Sequence, residues 1–264
     1  MMRFLSFSSG SCGNCYLLLG ERGGVLIDAG VGIRSVKKVL EANGLDFSCF
    51  QSILITHDHG DHIRNLGSFC KRLKRPVWAT ATLHEAFRHH PFTRFDIGGC
   101  QQVLSGSWNP VAPGIEARYF VVRHDATETV GYAIRVDGRL FVLMTDLGEL
   151  TDEALHWASQ ADTVVVESNY DMDLLLGGDY PHYLKMRICQ GAGHLSNDAC
   201  CGAIRRFMHP GLKNLFLCHL SGNNNTPALA FGNAEKTLRE LGVPEGEVNL
   251  RVLERGVPSP LLFL

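Results

Sequence analysis

The hexapeptide His57-Asp58-His59-Gly60-Asp61-His62 follows directly on the apolar run Ser52-Ile53-Leu54-Ile55-Thr56. Three imidazoles and two carboxylates crowded at the end of a buried strand are metal-binding chemistry. His57 and His59 are two residues apart, so an extended chain points both the same way. Gly60 lets the chain turn, so Asp61 and His62 can face a second ion a few ångströms off. A chain carrying this loop must place a strand C-terminus where other donors can converge on it.

Those other donors also sit at strand ends. Ile27 leads to Asp28, Val122 to His124-Asp125, Met144 to Thr145-Asp146, Val166 to Glu167 and Leu217 to His219. Loops at the carboxyl ends of strands are where α/β folds place active sites. Two metals need three or four protein ligands each, plus solvent. His57, His59 and His124 would hold the first, Asp61, His62 and His219 the second, and Asp146 can bridge them with its two oxygens. Asp61 then stands among the catalytic groups as well as among the ligands. Asp28 is placed to receive a ring N–H and fix a ligand's tautomer. Histidine and carboxylate donors suit two divalent ions of Zn, Mn or Fe.

The remaining pattern predicts secondary structure around this frame. Strands are expected at 3–7, 16–19, 25–28, 52–56, 77–79, 102–104, 115–122, 130–136, 140–144, 163–167, 214–218 and 247–253. Helices are expected at 33–42, 62–74, 83–88, 151–159, 197–208 and 227–241. Asp137-Gly138 reads as a hairpin turn. Strand clusters with interspersed helices, occurring twice, predict two packed sheets with helices outside. A chain of 264 residues suits one domain, spanning 1–264.

Composition narrows the partners. The net charge is −2, which gives no global case for nucleic-acid binding, so any such binding must use a local basic patch. The runs Lys71-Arg72 with Lys74-Arg75 and Arg205-Arg206 read as solvated helix ends. No segment reads as a signal peptide or is long and apolar enough to span a bilayer. Nine cysteines without scaffold spacing point to a reducing cytoplasm. Cys12 and Cys15 form a lone CxxC, read as packed free thiols rather than a zinc knuckle. Cys200-Cys201 reads as helical core.

Asp28, the HxHxDH block, His124, Asp146 and His219 together resemble the metallo-β-lactamase superfamily. The resemblance implies an α/β fold, an αββα sandwich of two mixed sheets flanked by helices. It also implies a dinuclear site along one edge and a metal-bridging hydroxide as nucleophile. Glu167 and His194 go further. A histidine beside a carboxylate stays protonated and can donate to a leaving alkoxide. This pair is similar to that of ribonuclease Z, and lactam cleavage does not need it. The competing assignment makes His194 the final ligand and His219 the donor. His219 is favoured as ligand because it directly ends its strand. The phrases at 10–16, 26–30, 167–169, 180–188, 193–197 and 219–224 resemble the WalJ/YycJ-type branch, with Cys12 standing where that branch is expected to have Ser. That resemblance implies a 5′-to-3′ DNA exonuclease. Lys185, Arg187, Ser196 and Asn197, within those phrases, are the candidate substrate contacts. The alternatives are a small-molecule cyclic phosphodiesterase and a thioester or lactam hydrolase.

Overall fold

The structure, a computed structural model, describes residues 1–94 and 97–264. Six strands follow one another in the first sheet: β1 (Arg3–Ser8), β2 (Cys15–Leu19), β3 (Gly24–Ile27), β4 (Ser52–Leu54), β5 (Val77–Ala79) and β6 (Gln101–Val103). The second sheet holds β7 (Asn109–Ala112), β8 (Ile115–Val122), β9 (Thr129–Val136), β10 (Arg139–Met144), β11 (Thr163–Glu167), β12 (Asn214–Cys218) and β13 (Asn249–Val252). The last strand, β14 (Leu262–Phe263), pairs antiparallel with β1 and completes the first sheet. Each sheet is antiparallel at one side and parallel at the other: β3 to β6 and β10 to β13 run parallel.

Alternation of apolar residues on doubly buried strands explains the layers. Phe141, Leu143, Val165 and Phe216 point inward and meet Phe4, Tyr16, Val25 and Ile27 of the first sheet. Phe4 sits 5.4 Å from Phe141 and 5.6 Å from Phe216, ring centre to ring centre. Burying each such ring contributes roughly 2–3 kcal/mol. The alternate residues Val142, Met144, Val164, Val166, Leu215 and Leu217 face helices α5 (Asp152–Ala158), α8 (Asn197–Phe207) and α9 (Pro227–Glu240). On the far side, Leu5, Leu17, Leu26 and Ile53 pack on α1 (Ile33–Ala42), α3 (Leu66–Leu73) and α4 (Ala81–His89). The αββα arrangement expected from the sequence is the one observed.

Four expectations shift. The helix expected at 62–74 is two: α2 (Gly60–Ile63) and α3. Asn65 interrupts it, because its backbone N–H donates to the Ala29 carbonyl and its side chain to the Gly30 carbonyl. Two short helices, α6 (Met172–Gly177) and α7 (His182–Cys189), fill the segment between Glu167 and His194, where no helix was expected. β7 and β14 were also not foreseen. Cys12 is exposed rather than packed, while Cys15, Cys200 and Cys201 are buried, and none of the nine cysteines is in a disulfide. Among the described residues no helix is long and apolar enough to cross a membrane.

Backbone hydrogen bonds lace the HxHxDH loop to the first sheet. Asn14 N–H donates to the Asp61 carbonyl at 2.8 Å, and Ala29 N–H to the His62 carbonyl at 2.7 Å. Gly30 makes this approach possible, since a Cβ there would lie 1.7 Å from the Asp61 carbonyl oxygen. Backbone cannot give way as a flexible side-chain tip can. A Gly30→Ala variant should therefore lose about 3 kcal/mol of stability by overpacking. The check is a urea midpoint, which should fall with little change of slope. An unchanged midpoint would mean that the loop relaxes without cost.

Candidate metal centre

Three residues of the site turn the chain sharply where a strand stops. Asp28, Asp146 and His219 have φ of 60°, 52° and 54°, the left-handed region uncommon for residues other than glycine. Such residues persist only where their surroundings hold them. Asp28 accepts from Thr56 N–H at 2.9 Å, from the Thr56 hydroxyl, and from His62 Nδ1 at 2.7 Å. Asp146 accepts from the Thr145 hydroxyl at 2.7 Å. His219 N–H donates to Ser9 Oγ at 2.8 Å.

The imidazoles are oriented by a common device. Each has one ring nitrogen against a protein oxygen and turns the other towards the centre of the site. His62 Nδ1 donates to Asp28. His124 Nδ1 donates to the Gly193 carbonyl at 2.8 Å, and His59 Nε2 to the Asp125 carbonyl at 3.3 Å. The Thr56 hydroxyl is spent on Asp28, so it accepts from His57 Nδ1 at 3.1 Å. His219 Nδ1 lies 2.9 Å from Glu167 Oε1. The tautomers follow from the partners, since a carbonyl only accepts.

The inward-facing atoms then cluster. His57, His59 and His124 form one group whose ligand atoms lie within 4.8 Å of one another, and Asp61, His62 and His219 form another. His59 Nδ1 and His124 Nε2 are 3.3 Å apart. Asp146 lies between: its Oδ2 is 3.2 Å from His62 Nε2 and its Oδ1 3.8 Å from His124 Nε2. All seven residues read from the sequence as ligands are thus brought together. His57 Nε2 is buried with no hydrogen-bond partner among the described residues. An uncompensated buried ring nitrogen beside two other imidazoles is what a divalent cation fits.

Electrostatics point the same way. Asp28, Asp146 and Glu167 are at most 2% exposed, and among the described residues no lysine or arginine pairs with them. The histidines carry the compensation. Burial opposes charge on His62, but Asp146, Asp28 and Asp61 outweigh it and hold its pKa well above the usual value. Burial likewise opposes charge on His219, and Asp146, Asp61 and Glu167 push it up to about 10. Asp146 is held well below the carboxylate range against burial by His219 and His62. Burial, with His62 beside it, pushes His57 well down.

Glu167 and His194 meet as expected, with His194 Nδ1 at 2.8 Å from Glu167 Oε1. Glu167 Oε2 also accepts from the Leu147 and Leu195 N–H groups. Burial disfavours charge on His194, but Glu167 and then Asp146 prevail and raise its pKa. His194 lines a cleft of about 260 Å³ together with Asp61, Asp146, His219, Arg187 and Tyr180.

The expected substrate contacts divide. Arg187 lines the cleft and pairs with Asp125. Lys185 does not line it, and its Nζ donates to the Leu176 carbonyl. Ser196 caps α8 through the Ala199 N–H. Asn197 is 2% exposed and accepts from Ser168 Oγ and Asn225 Nδ2. Both brace the loop that carries His194 and lie outside the cleft lining. Sequence reading passed over Asn14, whose amide donates to Asp61 Oδ2 at 3.1 Å and whose Nδ2 lies 2.8 Å from His62 Nε2. It passed over Asn169, which donates to the His219 carbonyl at 2.7 Å. Asp125 was visible only as the neighbour of His124. Amides carry no metal signature of their own, and the one signal for Asn14 was its place in the phrase at 10–16.

If Asp146 holds metal on both sides, Asp146→Ala should lose at least one bound ion. Metal analysis of the purified variant beside the wild type provides the check, and full metal content would remove Asp146 from the bridge.

Comparison with known proteins agrees with this geometry. A family profile described as a beta-lactamase superfamily domain matches residues 24–219. Exodeoxyribonuclease YycJ of Bacillus anthracis is 31% identical over 247 residues, 93% of this chain and 92% of that protein. Exodeoxyribonuclease WalJ of Streptococcus pneumoniae is 29% identical over 228 residues, 86% and 85% of the two chains. Among solved structures, the metallo-beta-lactamase fold protein YhfI of Bacillus subtilis is similar with a TM-score of 0.70 and 14% identity, over 98% of both chains. Zn(2+)-bound PqqB of Methylobacterium extorquens is similar with a TM-score of 0.70 and 15% identity, over 98% of this chain and 99% of that one. At such identities these two speak for the fold alone. The chain belongs to the beta-lactamase superfamily of metal-dependent hydrolases, in the branch of the YycJ and WalJ proteins.

Proposed function

We propose that this chain is a phosphodiesterase working with two divalent metals, and that its substrate is DNA, degraded from the 5′ end. The observation that carries the reading is the Glu167–His194 pair at the edge of the cleft, 2.8 Å apart. Relatives named exodeoxyribonucleases, aligned over most of this chain, support the choice of DNA. Nine unpaired cysteines fit a cytoplasmic place of action.

His57, His59 and His124 would hold one ion, Asp61, His62 and His219 the other, and Asp146 would touch both. When bound, such a pair lowers the pKa of water and neutralises charge on the attacked phosphate. The chain's own residues supply the rest. Asp28 and Thr56 fix the rings of His62 and His57. Glu167 keeps His194 charged, with Nδ1 held, so that Nε2 is free to give a proton to the leaving oxygen. A thioester hydrolase has less need of that donor, since a thiolate leaves without being protonated. Arg187 offers a cation to the strand beside the cut. His219 is favoured over His194 as the ligand because its Nε2 lies 3.4 Å from Asp61 Oδ2, within the second cluster.

Two measurements test the reading. His194→Ala should keep its metals and lose roughly a hundred- to ten-thousand-fold in rate, the range of a general acid. Loss of metal in that variant would exchange the roles of His194 and His219. Protein loaded with Zn, Mn or Fe in turn should release label from 5′-labelled DNA before 3′-labelled DNA. Attack from the 3′ end would refute the polarity. No attack on DNA, with rapid turnover of a small cyclic phosphodiester, would refute the nuclease reading.

A further inference from the structure

Arg255 packs on two loops that line the cleft, without lining it itself, and was not marked by its sequence. It follows β13 in an exposed turn, far in sequence from every site residue. Its guanidinium rests on the bare α-carbon of Gly222, where a Cβ would lie 1.7 Å from Arg255 Nη1. Its stem passes Gly10, where a Cβ would lie 3.2 Å from both Arg255 Cγ and the Leu220 carbonyl oxygen. Ser11, Leu220 and Ser221, the neighbours of those two glycines, line the cleft.

The backbone around Arg255 is tied to the site. Ser9 N–H donates to the Glu254 carbonyl at 3.2 Å, and Gly256 N–H to Ser8 Oγ at 3.0 Å. Ser9 Oγ in turn receives the N–H of His219. Arg255 is thereby anchored to the loop that positions His219. Arg187 is anchored on the other flank through Asp125, which also lies near His59 and His124. Unlike Arg187, Arg255 makes no ion pair or side-chain hydrogen bond among the described residues, so its five donors remain available.

We propose that Arg255 is a substrate-positioning residue that binds a backbone phosphate of the DNA strand on the His219 side of the cleft, while Arg187 serves the His59–His124 side. The proposal rests on the DNA reading above. A guanidinium suits this task, since its planar fork matches phosphate oxygens. The bare glycines at 10 and 222 leave the guanidinium seated without a side chain between it and an approaching strand. The two cations would hold a strand across the metals, with the bond to be cut between them.

The test is binding of a labelled oligonucleotide at increasing salt, in a His194→Ala background so that the DNA is not consumed. Removing one phosphate contact should reduce the salt slope by about 0.7 on single-stranded and about 0.9 on duplex DNA. Arg255→Ala should show that reduction, with affinity down about tenfold, the size of one charge-assisted hydrogen bond. Arg255→Lys should recover much of the slope, since a point charge still pairs with phosphate. Lys236→Ala, on α9, should leave the slope as in the parent. If Arg255→Ala does not fold, Arg255→Gln keeps most of the stem and carries the same expectation. DNA binding with an unaltered slope in the Arg255 variants would overturn the proposal and leave the nuclease reading standing. Failure of the wild type to bind and cut DNA would overturn both.

Discussion

Burial of carboxylates without a lysine or arginine partner is the constraint on which this site depends. Asp28, Asp146 and Glu167 lie in the interior with only imidazoles and hydrogen-bond donors for company. A buried charge left alone costs several kcal/mol. Here every carboxylate is engaged, and each engagement orients something. Asp28 fixes His62 and Thr56, and Thr56 fixes His57. Glu167 receives both His194 and His219 on one oxygen and two backbone N–H groups on the other. The negative charge that makes the site costly also makes it attract divalent cations.

The fold delivers this arrangement by ending parallel strands of two sheets at one edge. β3 and β4 bring Asp28 and the HxHxDH loop, and β10, β11 and β12 bring Asp146, Glu167 and His219. The sharp turns at Asp28, Asp146 and His219 are local strain of order 1 kcal/mol each, held by packing on both sheet faces. The Tyr132 hydroxyl on the second sheet donates to the Ile55 carbonyl on the first and joins the halves just behind the metal loop.

Much of this was legible in the sequence because the signals were chemical or periodic. The continuous apolar runs of β11 and β12 mark strands buried on both faces, the alternation of β8 marks a half-exposed one, and the strand-end residues mark the site. What was not legible had physical reasons. α7 has no buried residue and so no apolar period to read. Lys185 and Arg187 look equivalent in sequence, but residues two apart on a helix do not share a face. Only Arg187 reaches the cleft. Ser196 and Asn197 follow His194 closely, yet the helix that begins there turns their side chains to capping and bracing. Asn14 and Asn169 act by holding ligands, which no spacing rule announces. Arg255 comes beside the loops that line the cleft through tertiary contacts with Gly10 and Gly222, glycines that in sequence could equally be turns.

The most direct test of the account is an anomalous-scattering map from crystals of the metal-loaded protein. The account predicts two peaks about 3.5–4 Å apart. One should be ligated by His57 Nε2, His59 Nδ1 and His124 Nε2, the other by Asp61, His62 Nε2 and His219 Nε2, with Asp146 between. A single peak, or a second ion held by His194 in place of His219, would contradict it.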